Sequence, residues 1–242
     1  MQLRPYITVV LAMSADGKIA DFRRSPARFG SQADKAHLEA QIAASDAVLL
    51  GAGTLRAYGT TLTVSQPLLL QHRIKQGKQS QPIHIVITES AELDPDIKFF
   101  QQPIERWLLT TTMGAVSWHR KEQRFHAKRL TTAQECPPKF DQIIVFDTST
   151  GKVDTSAALQ HLASLHITRL AVLGGGELVA SLVELDLIDE LWLTVCPLIL
   201  GGVDAPTPVE GGGFLSQLAP KLELLEVQQV EQEVFLHYRL KR

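Results

Sequence analysis

The chain has 242 residues, of which 45% are hydrophobic and 21% are charged, and its mean hydropathy is close to zero. These proportions are typical of a globular protein that can bury a sizeable core, and they exclude an intrinsically disordered chain. The formal net charge of −2 gives no electrostatic reason to expect a nucleic acid or an anionic membrane as a partner.

The first apolar run, residues 7–13, is too short to span a bilayer. The charged and apolar regions of a signal peptide do not precede it, so we expect a cytoplasmic protein. The two cysteines, Cys136 and Cys196, fit no metal-binding or redox spacing, and we expect no bound metal ion.

Short β-rich runs recur along the chain, and several are apolar throughout, as strands buried on both faces are. They are residues 7–13, 47–50, 83–88, 107–111, 142–146, 170–173 and 191–196. Helix-period stretches lie between some of them: residues 32–45 after the candidate N-cap Ser31, 156–165 after Asp154, and 177–185. This alternation predicts an α/β fold with a mainly parallel sheet flanked by helices.

The C-terminal part has a different pattern. Residues 222–229 and 234–240 are two strand candidates, and apolar residues alternate in the second, which predicts an antiparallel hairpin at the sheet edge. Residues 60–81, 132–138 and 201–213 are expected to be irregular. No linker divides the chain, and we expect a single domain over residues 1–242.

Two glycine-rich turns follow predicted strands. Gly51-Ala52-Gly53-Thr54 is a weak signal, because a structural turn explains it equally well and the third glycine of the Rossmann fingerprint is missing. Residues 174–176 are three consecutive glycines, which are costly in backbone entropy and therefore favour a phosphate or cofactor contact. Ligands of open α/β sheets bind beyond the carboxyl ends of strands, so the two turns could hold one dinucleotide.

A third segment, residues 13–20, runs from the first strand into an Asp-Gly turn. It is either a plain turn or a loop that covers the reactive end of a cofactor. The chain has no P-loop, no His-Glu-x-x-His zinc motif and no Gly-x-Ser-x-Gly nucleophile motif. Hydrolysis and metal chemistry therefore lack support, whereas a cofactor with its own reactivity fits.

These segments, in this order, resemble the reductase domain of the bifunctional riboflavin-pathway deaminase/reductase and, more distantly, dihydrofolate reductase. The similar stretches are residues 4–20, 46–54, 62–64, 174–178 and 187–202. The zinc-binding motifs of the deaminase have no counterpart. The resemblance implies a dihydrofolate-reductase-like fold and a homodimer. It also implies NADPH-dependent reduction of 5-amino-6-(5-phosphoribosylamino)uracil, in which the C1 imine of the sugar accepts hydride and leaves a ribitylamino product.

By position, the resemblance implies a set of cofactor-binding residues. They are Met13 and Ala20 at the nicotinamide, Gly53 and Thr54 at the phosphates, Thr88 at the adenosine ribose or its 2′-phosphate, and Gly174, Gly175, Gly176, Glu177 and Leu178 around the pyrophosphate. A cis peptide bond between two of the glycines at 174–176 is a further expectation, by analogy with dihydrofolate reductases.

The substrate side departs from the family pattern. Tyr58-Gly59 occupies the place of an acidic pair, Ser65 that of an arginine suited to a substrate phosphate, and Leu173 that of a glutamate. The candidate substrate-binding residues are Tyr58, Leu62, Leu173 and Arg28.

Several explanations of these departures stay open. Other cations could replace the lost contacts, namely Arg28, Arg56, Arg73 or Lys75. Alternatively the substrate is a pterin or another small heterocycle, or the protein binds a nucleotide without turnover. Asp34, His37 and Gln41 share one face of the first helix, where dihydrofolate reductases place a substrate-binding carboxylate, although solvated surface side chains explain them equally well. The sequence identifies no catalytic residue.

Overall fold

The structure is a computed structural model that describes residues 3–129 and 137–242, so Cys136 and most of segment 132–138 lie outside the described residues. The strands are β1 (Tyr6–Ser14), β2 (Ala47–Gly51), β3 (Ile83–Thr88), β4 (Arg106–Thr110), β5 (Gln142–Val145), β6 (Arg169–Val172), β7 (Glu190–Cys196), β8 (Lys221–Val230) and β9 (Glu233–Lys241). The helices are α1 (Gln32–Ala44), α2 (Ala52–Tyr58), α3 (Pro67–Lys75), α4 (Thr112–Arg129), α5 (Thr155–Ser164) and α6 (Gly176–Glu184), with a 3-10 helix at Lys98–Gln101.

The strands form one nine-stranded sheet in the order β5-β4-β3-β2-β6-β1-β7-β9-β8. Every neighbouring pair from β5 to β7 is parallel, and β9 is antiparallel to both β7 and β8. The predicted mainly parallel sheet with an antiparallel C-terminal hairpin is therefore confirmed. The single domain over residues 1–242 stays a prediction.

Two apolar clusters cover the two faces of the sheet. Leu159 of α5 and Leu182 of α6 belong to one cluster, and Ile42 of α1, Leu55 of α2 and Trp118 of α4 belong to the other. All five side chains are fully buried. Because the central strands are covered on both faces, their sequences are apolar throughout rather than alternating.

The connections of β2 and β6 diverge, although these strands are neighbours in the sheet. The chain leaves β2 toward β3 on the face that carries α2, and it leaves β6 through α6 toward β7 on the opposite face. Such a divergence is the topological switch point of an open α/β sheet, where a crevice opens at the carboxyl ends of the strands. This rule predicts a crevice beyond the turns that follow β2 and β6.

The prediction that residues 60–81 are irregular is wrong, because α3 lies within them. No side chain of α3 or of its N-cap residue caps this helix. Instead the Glu39 carboxylate of α1 accepts hydrogen bonds from the amides of Ser65 and Gln66 and from the Ser65 hydroxyl. The capping group is remote in sequence, so the local pattern carries no start signal. Helix α4 was not predicted either, since most of its residues are polar.

Glu39 gives a test of this arrangement. Its carboxylate is buried, with 4% of the residue exposed. Burial would raise its pKa, but the amides of Ser65 and Gln66 outweigh this and hold the pKa below the ordinary value of 4.5. We expect Glu39→Ala to lower the free energy of unfolding by about 2 kcal/mol at neutral pH, because it leaves buried donors without an acceptor.

The contribution of Glu39 should depend on pH with a definite sign. A carboxyl group with a depressed folded-state pKa stabilises the protein above its unfolded pKa, and the stabilisation is lost as pH falls through the folded value. Urea unfolding of wild type and Glu39→Ala should therefore differ less at about pH 3 than at about pH 7. The neutral Glu39→Gln variant is the control, and its stability should lack this acid-dependent loss. An equal difference between wild type and Glu39→Ala at both pH values would contradict the assignment.

Candidate cofactor and substrate site

The two glycine turns meet at the switch point. The Gly51 amide donates a hydrogen bond to the Gly174 carbonyl at 3.1 Å. A β-carbon on Gly51 would lie 3.7 Å from the Gly175 nitrogen, and one on Gly175 would lie 3.4 Å from the Thr54 hydroxyl oxygen. The turns predicted to share one ligand therefore form one continuous surface.

The peptide bond between Gly174 and Gly175 is cis, as the sequence analysis expected. Gly174 has a φ of +98°, a left-handed conformation that favours glycine. A β-carbon there would also approach the Leu11 side chain to 3.1 Å. Backbone conformation and packing thus both require glycine at position 174.

The glycines at 53 and 176 differ in what surrounds them. A β-carbon on Gly176 would lie 2.3 Å from the Thr207 carbonyl oxygen, so close packing against the chain explains this glycine without a ligand. Gly53 is exposed, and a β-carbon on it would meet nothing within 4 Å. Three consecutive glycines therefore give less support for a ligand contact at Gly176, which packing already explains. Gly53, in contrast, lies next to unoccupied space.

The N-termini of α2 and α6 have no side-chain cap. Their N-cap residues are Gly51 and Gly175, whereas Ser31 and Asp154 cap α1 and α5 with side-chain oxygens, as predicted. Uncapped amides at the start of a helix form a favourable environment for phosphate. The two helices that begin at the switch point therefore offer the donors that a dinucleotide pyrophosphate needs.

Glu177 and Leu178 follow in the first turn of α6. Glu177 is exposed, and it is the acidic residue of that turn. Leu178 packs against the apolar cluster that contains Leu182, and its β-carbon lies 3.9 Å from the β-carbon position on Gly51. The side chain of Leu178 therefore joins α6 to the first glycine turn.

Met13 and Ala20 lie on the side of β6 that faces away from β2. Met13 pairs with Val195 of β7 near the end of β1, and it is partly exposed. Ala20 is also partly exposed, and the neighbouring Ile19 amide donates to the Pro206 carbonyl at 2.9 Å. Both residues therefore border the carboxyl ends of β1 and β7.

Thr88 ends β3, and its hydroxyl accepts a hydrogen bond from the Ala91 amide at 3.2 Å. Arg56 of α2 donates to the Glu92 carbonyl at 3.2 Å. Arg56 is one of the cations that could replace the missing substrate-binding arginine, but this bond places its guanidinium at the turn after β3. The turn thus brings a hydroxyl and a positive charge together on the side of β2 away from β6.

Two of the predicted substrate-binding residues lie together at the start of α1. The Tyr58 hydroxyl donates to the Ala27 carbonyl at 2.8 Å. Burial raises the pKa of Tyr58, and the nearby positive charge of Arg28 opposes the shift. Arg28 is itself exposed. Among the cations considered, Arg28 is thus close to a predicted substrate residue.

The remaining substrate-side candidates have structural contacts. Leu62 and Leu173 are partly buried and pack against the cluster that contains Trp118. Arg73 is 2% exposed and donates to backbone carbonyls of Ala43, Ser45 and Gln79, so it is not available to a substrate phosphate. Lys75 is exposed at the end of α3.

Asp34 and His37 do not behave as solvated surface side chains. The rings of Trp192 and Phe235 lie edge-on to His37, at centroid distances of 4.5 and 5.3 Å. Burial raises the pKa of Asp34, a hydrogen bond with Thr194 of β7 opposes this, and the charge of Glu233 adds to the increase. The inner face of α1 therefore presents a carboxyl group to the end of β7.

Glu233 is a further buried carboxylate near this group, and the sequence does not predict its position. It is 3% exposed, and its carboxylate accepts hydrogen bonds from the Ser31 amide at 2.8 Å and the Ser31 hydroxyl at 2.6 Å. Only the pairing of β9 with β7 brings it near the first helix, so no local motif could have indicated it.

Within residues 3–129 and 137–242, no three His, Cys, Asp or Glu side chains are grouped so that they could hold a metal ion. No helix in these ranges is long and apolar enough to cross a membrane.

The family model described as the RibD C-terminal domain matches residues 5–236. The chain belongs to this family. The 2,5-diamino-6-ribosylamino-4(3H)-pyrimidinone 5′-phosphate reductase of Archaeoglobus fulgidus is 31% identical over 215 residues, which cover 89% of this chain and 90% of that relative. The reductase of the same name from Methanothermobacter thermautotrophicus is 27% identical and covers 99% of this chain and 100% of that relative.

Solved structures share the fold. A pyrimidine reductase-like protein from Corynebacterium diphtheriae has a TM-score of 0.75 at 20% identity and covers 98% of this chain and 92% of that protein. The predicted fold class, a mainly parallel sheet flanked by helices with an antiparallel C-terminal hairpin, is thus found in a solved structure as well.

The two contrasting glycines give a stability prediction. We expect Gly176→Ala to lower the free energy of unfolding by about 1–3 kcal/mol, because the backbone near Thr207 must move. Gly53→Ala should be neutral or stabilising by up to about 1 kcal/mol, because alanine suits a helix and meets open space. Urea unfolding of both variants without ligand measures the difference. Equal losses in the two variants would contradict the packing described here.

Proposed function

We propose that the chain is a nicotinamide-dependent reductase of riboflavin biosynthesis that reduces a ribosylaminopyrimidine phosphate. The observation that carries this proposal is the common surface of the two glycine turns at the switch point, where two uncapped helix N-termini face one crevice. The names of the two reductases from Archaeoglobus fulgidus and Methanothermobacter thermautotrophicus, which match this chain over most of its length, support the substrate class.

The residues at the switch point fit a dinucleotide. Backbone amides at the starts of α2 and α6 would hold the pyrophosphate, with Gly53 leaving room for it and Thr54 adding a hydroxyl. The segment from Gly174 to Leu178 would line the same phosphates, and Met13 and Ala20 would line the nicotinamide. The bound nicotinamide would supply the hydride.

NADPH rather than NADH is the cofactor that we propose. A 2′-phosphate is recognised by cationic side chains and hydroxyls, whereas NADH sites commonly place a carboxylate on the ribose. Arg56 and the hydroxyl of Ser90 lie at the turn that Thr88 begins. This pair suits a phosphate at the adenosine end of the crevice.

The substrate would enter beside the N-terminus of α1. There Arg28 offers an exposed positive charge for the sugar phosphate, and Tyr58, Leu62 and Leu173 would border the heterocycle. The carboxyl group of Asp34, with its raised pKa, would face the ring from the inner side of α1. The contribution of these residues is to orient the imine carbon toward the nicotinamide, since orientation can supply several kcal/mol of rate enhancement.

The test is an absorbance assay of NADPH oxidation with purified protein. Two pyrimidines are compared: 2,5-diamino-6-ribosylamino-4(3H)-pyrimidinone 5′-phosphate, which the relatives' names favour, and 5-amino-6-(5-phosphoribosylamino)uracil. We expect turnover with at least one pyrimidine, a higher kcat/KM with NADPH than with NADH, and none with a dihydropterin. Gly53→Ala should fold normally but bind NADPH more weakly, because its methyl group occupies the phosphate space.

Other outcomes identify the alternatives. Turnover with the dihydropterin alone would assign the protein to another heterocycle. NADPH binding without turnover of any of these compounds would make it a nucleotide-binding homologue. Equal kcat/KM with NADH would remove the proposed role of Arg56.

A homodimer and a cytoplasmic location are also part of the proposal. One face of the hairpin carries the apolar residues Leu222, Leu224, Val227, Val234, Leu236 and Tyr238. It continues through the pairing of β9 with β7 onto Leu191, Leu193 and Val195, of which Leu191 and Leu193 also pack against the cluster that contains Leu182. Leu224 and Val227 are 52% and 56% exposed. Because a two-fold axis pairs a surface with itself, an uncharged apolar face suits a second copy of the chain.

Sedimentation velocity tests this face. We expect wild type to sediment as a dimer and Leu224→Lys as a monomer, because the substitution places like charges opposite each other. Leu218→Lys changes a 73% exposed leucine outside this face and should leave the dimer intact. A monomeric wild type, or dissociation by both variants, would contradict the assignment.

A further inference from the structure

Two chain segments leave the carboxyl edge of the sheet side by side. Ser14 at the end of β1 is paired with Cys196 at the end of β7. The loop at residues 15–20 and the segment at residues 197–206 therefore begin at neighbouring positions. Backbone hydrogen bonds join them near both ends, from the Ala15 amide to the Leu198 carbonyl at 2.8 Å and from the Ile19 amide to Pro206.

One side chain joins the middle of these segments. The Asp16 carboxylate accepts hydrogen bonds from the Leu200 amide at 3.0 Å and the Gly201 amide at 2.7 Å. It also accepts from the Ser14 hydroxyl at 2.6 Å. Gly201 and Gly202 have φ values of +64° and +84°, a left-handed turn. Successive amides in such a turn form a concave site for an anion, and Asp16 occupies it.

The electrostatics of this contact favour a permanent charge. The Ser14 hydroxyl and the amides of Leu200 and Gly201 lower the pKa of Asp16 to about 2. The carboxylate is therefore ionised at every pH at which the protein would function. Hydrogen bonds to a charged acceptor are shorter and stronger than those between neutral groups.

We infer that Asp16 is a positioning residue that holds these two segments together as one wall at the nicotinamide end of the crevice. The inference rests on the proposed function for the identity of the ligand. Met13 precedes the loop and Ala20 ends it, so displacement of the wall would move the surface proposed to contact the nicotinamide. Asp16 is exposed, and it joins the buried Ser14 hydroxyl to the amides of Leu200 and Gly201, so its contribution is to this wall rather than to the apolar core.

The same loop supplies a matched control. The pKa of the Asp21 carboxyl group is also lowered, because this group accepts hydrogen bonds from the backbone amides of Ser25 and Arg23. These bonds stay within its own turn and do not reach residues 197–206. Asp21→Asn therefore removes a comparable charge without separating the two segments.

The first measurement needs no ligand. Hydrogen exchange of the Leu200 and Gly201 amides should accelerate in Asp16→Ala and Asp16→Asn, and should stay at the wild-type rate in Asp21→Asn. The thermal unfolding midpoint should change little in all three variants. Unchanged exchange in the Asp16 variants would overturn the inference whatever the substrate is.

The second measurement follows the nicotinamide. In the Asp16 variants, NADPH should bind with nearly unchanged affinity, because the phosphate contacts lie elsewhere, but the fluorescence of the bound nicotinamide should lose its wild-type intensity. With substrate, kcat should fall by about ten- to a hundredfold and KM should change little. The isotope effect with NADPH deuterated at the transferred position should rise, because hydride transfer becomes slower than the other steps.

These readouts separate the two hypotheses. Faster exchange with unchanged fluorescence, kcat and isotope effect would overturn the positioning role and leave the proposed function intact. Failure of wild type to bind NADPH would overturn the proposed function and with it the ligand assigned to this wall, whereas the contact made by Asp16 is decided by exchange alone. Asp21→Asn should match wild type in every measurement, and a loss there would also count against the inference.

Discussion

The divergence of the chain at β2 and β6 is the constraint on which the rest of the structure depends. Because β6 lies between β2 and β1 and is parallel to β2, the two glycine turns that follow β2 and β6 lie side by side at the carboxyl ends of these strands. The hydrogen bond from Gly51 to Gly174 joins them there. The crossovers on opposite faces then leave a crevice beyond the strand ends, and the starts of α2 and α6 face it.

The helices that begin at the crevice are capped differently from the other helices. Away from the crevice, the side chains of Ser31 and Asp154 cap α1 and α5, and Glu39 accepts hydrogen bonds from the amides of Ser65 and Gln66 that lead into α3. At the crevice, Gly51 and Gly175 take the N-cap positions and leave the amides free of side-chain partners. An incomplete cap is unfavourable in an isolated protein, and it becomes useful where an anionic ligand supplies the missing acceptor.

Most of the fold could be predicted from the sequence, because buried parallel strands and the caps Ser31 and Asp154 carry their signals in adjacent residues. Helix α3 could not, since the carboxylate that holds the two amides leading into it, Glu39, is on another helix. The two glycine turns could also be predicted, because their glycines are adjacent or nearly adjacent in the sequence. The electrostatic effect of Glu233 on Asp34 could not, because it exists only once β9 has paired with β7.

The hydrogen bonds between Ser31 and Glu233 join positions 202 residues apart. During synthesis, the first helix emerges long before the strand that completes its cap. The nascent chain can form most of the parallel sheet, yet the entrance beside α1 acquires its final geometry only when the last hairpin has been made. A chain that lost this hairpin would keep both glycine turns but lack the support that Glu233 gives to the start of α1. The glycine turns and the region beside α1 are thus completed at different times during synthesis.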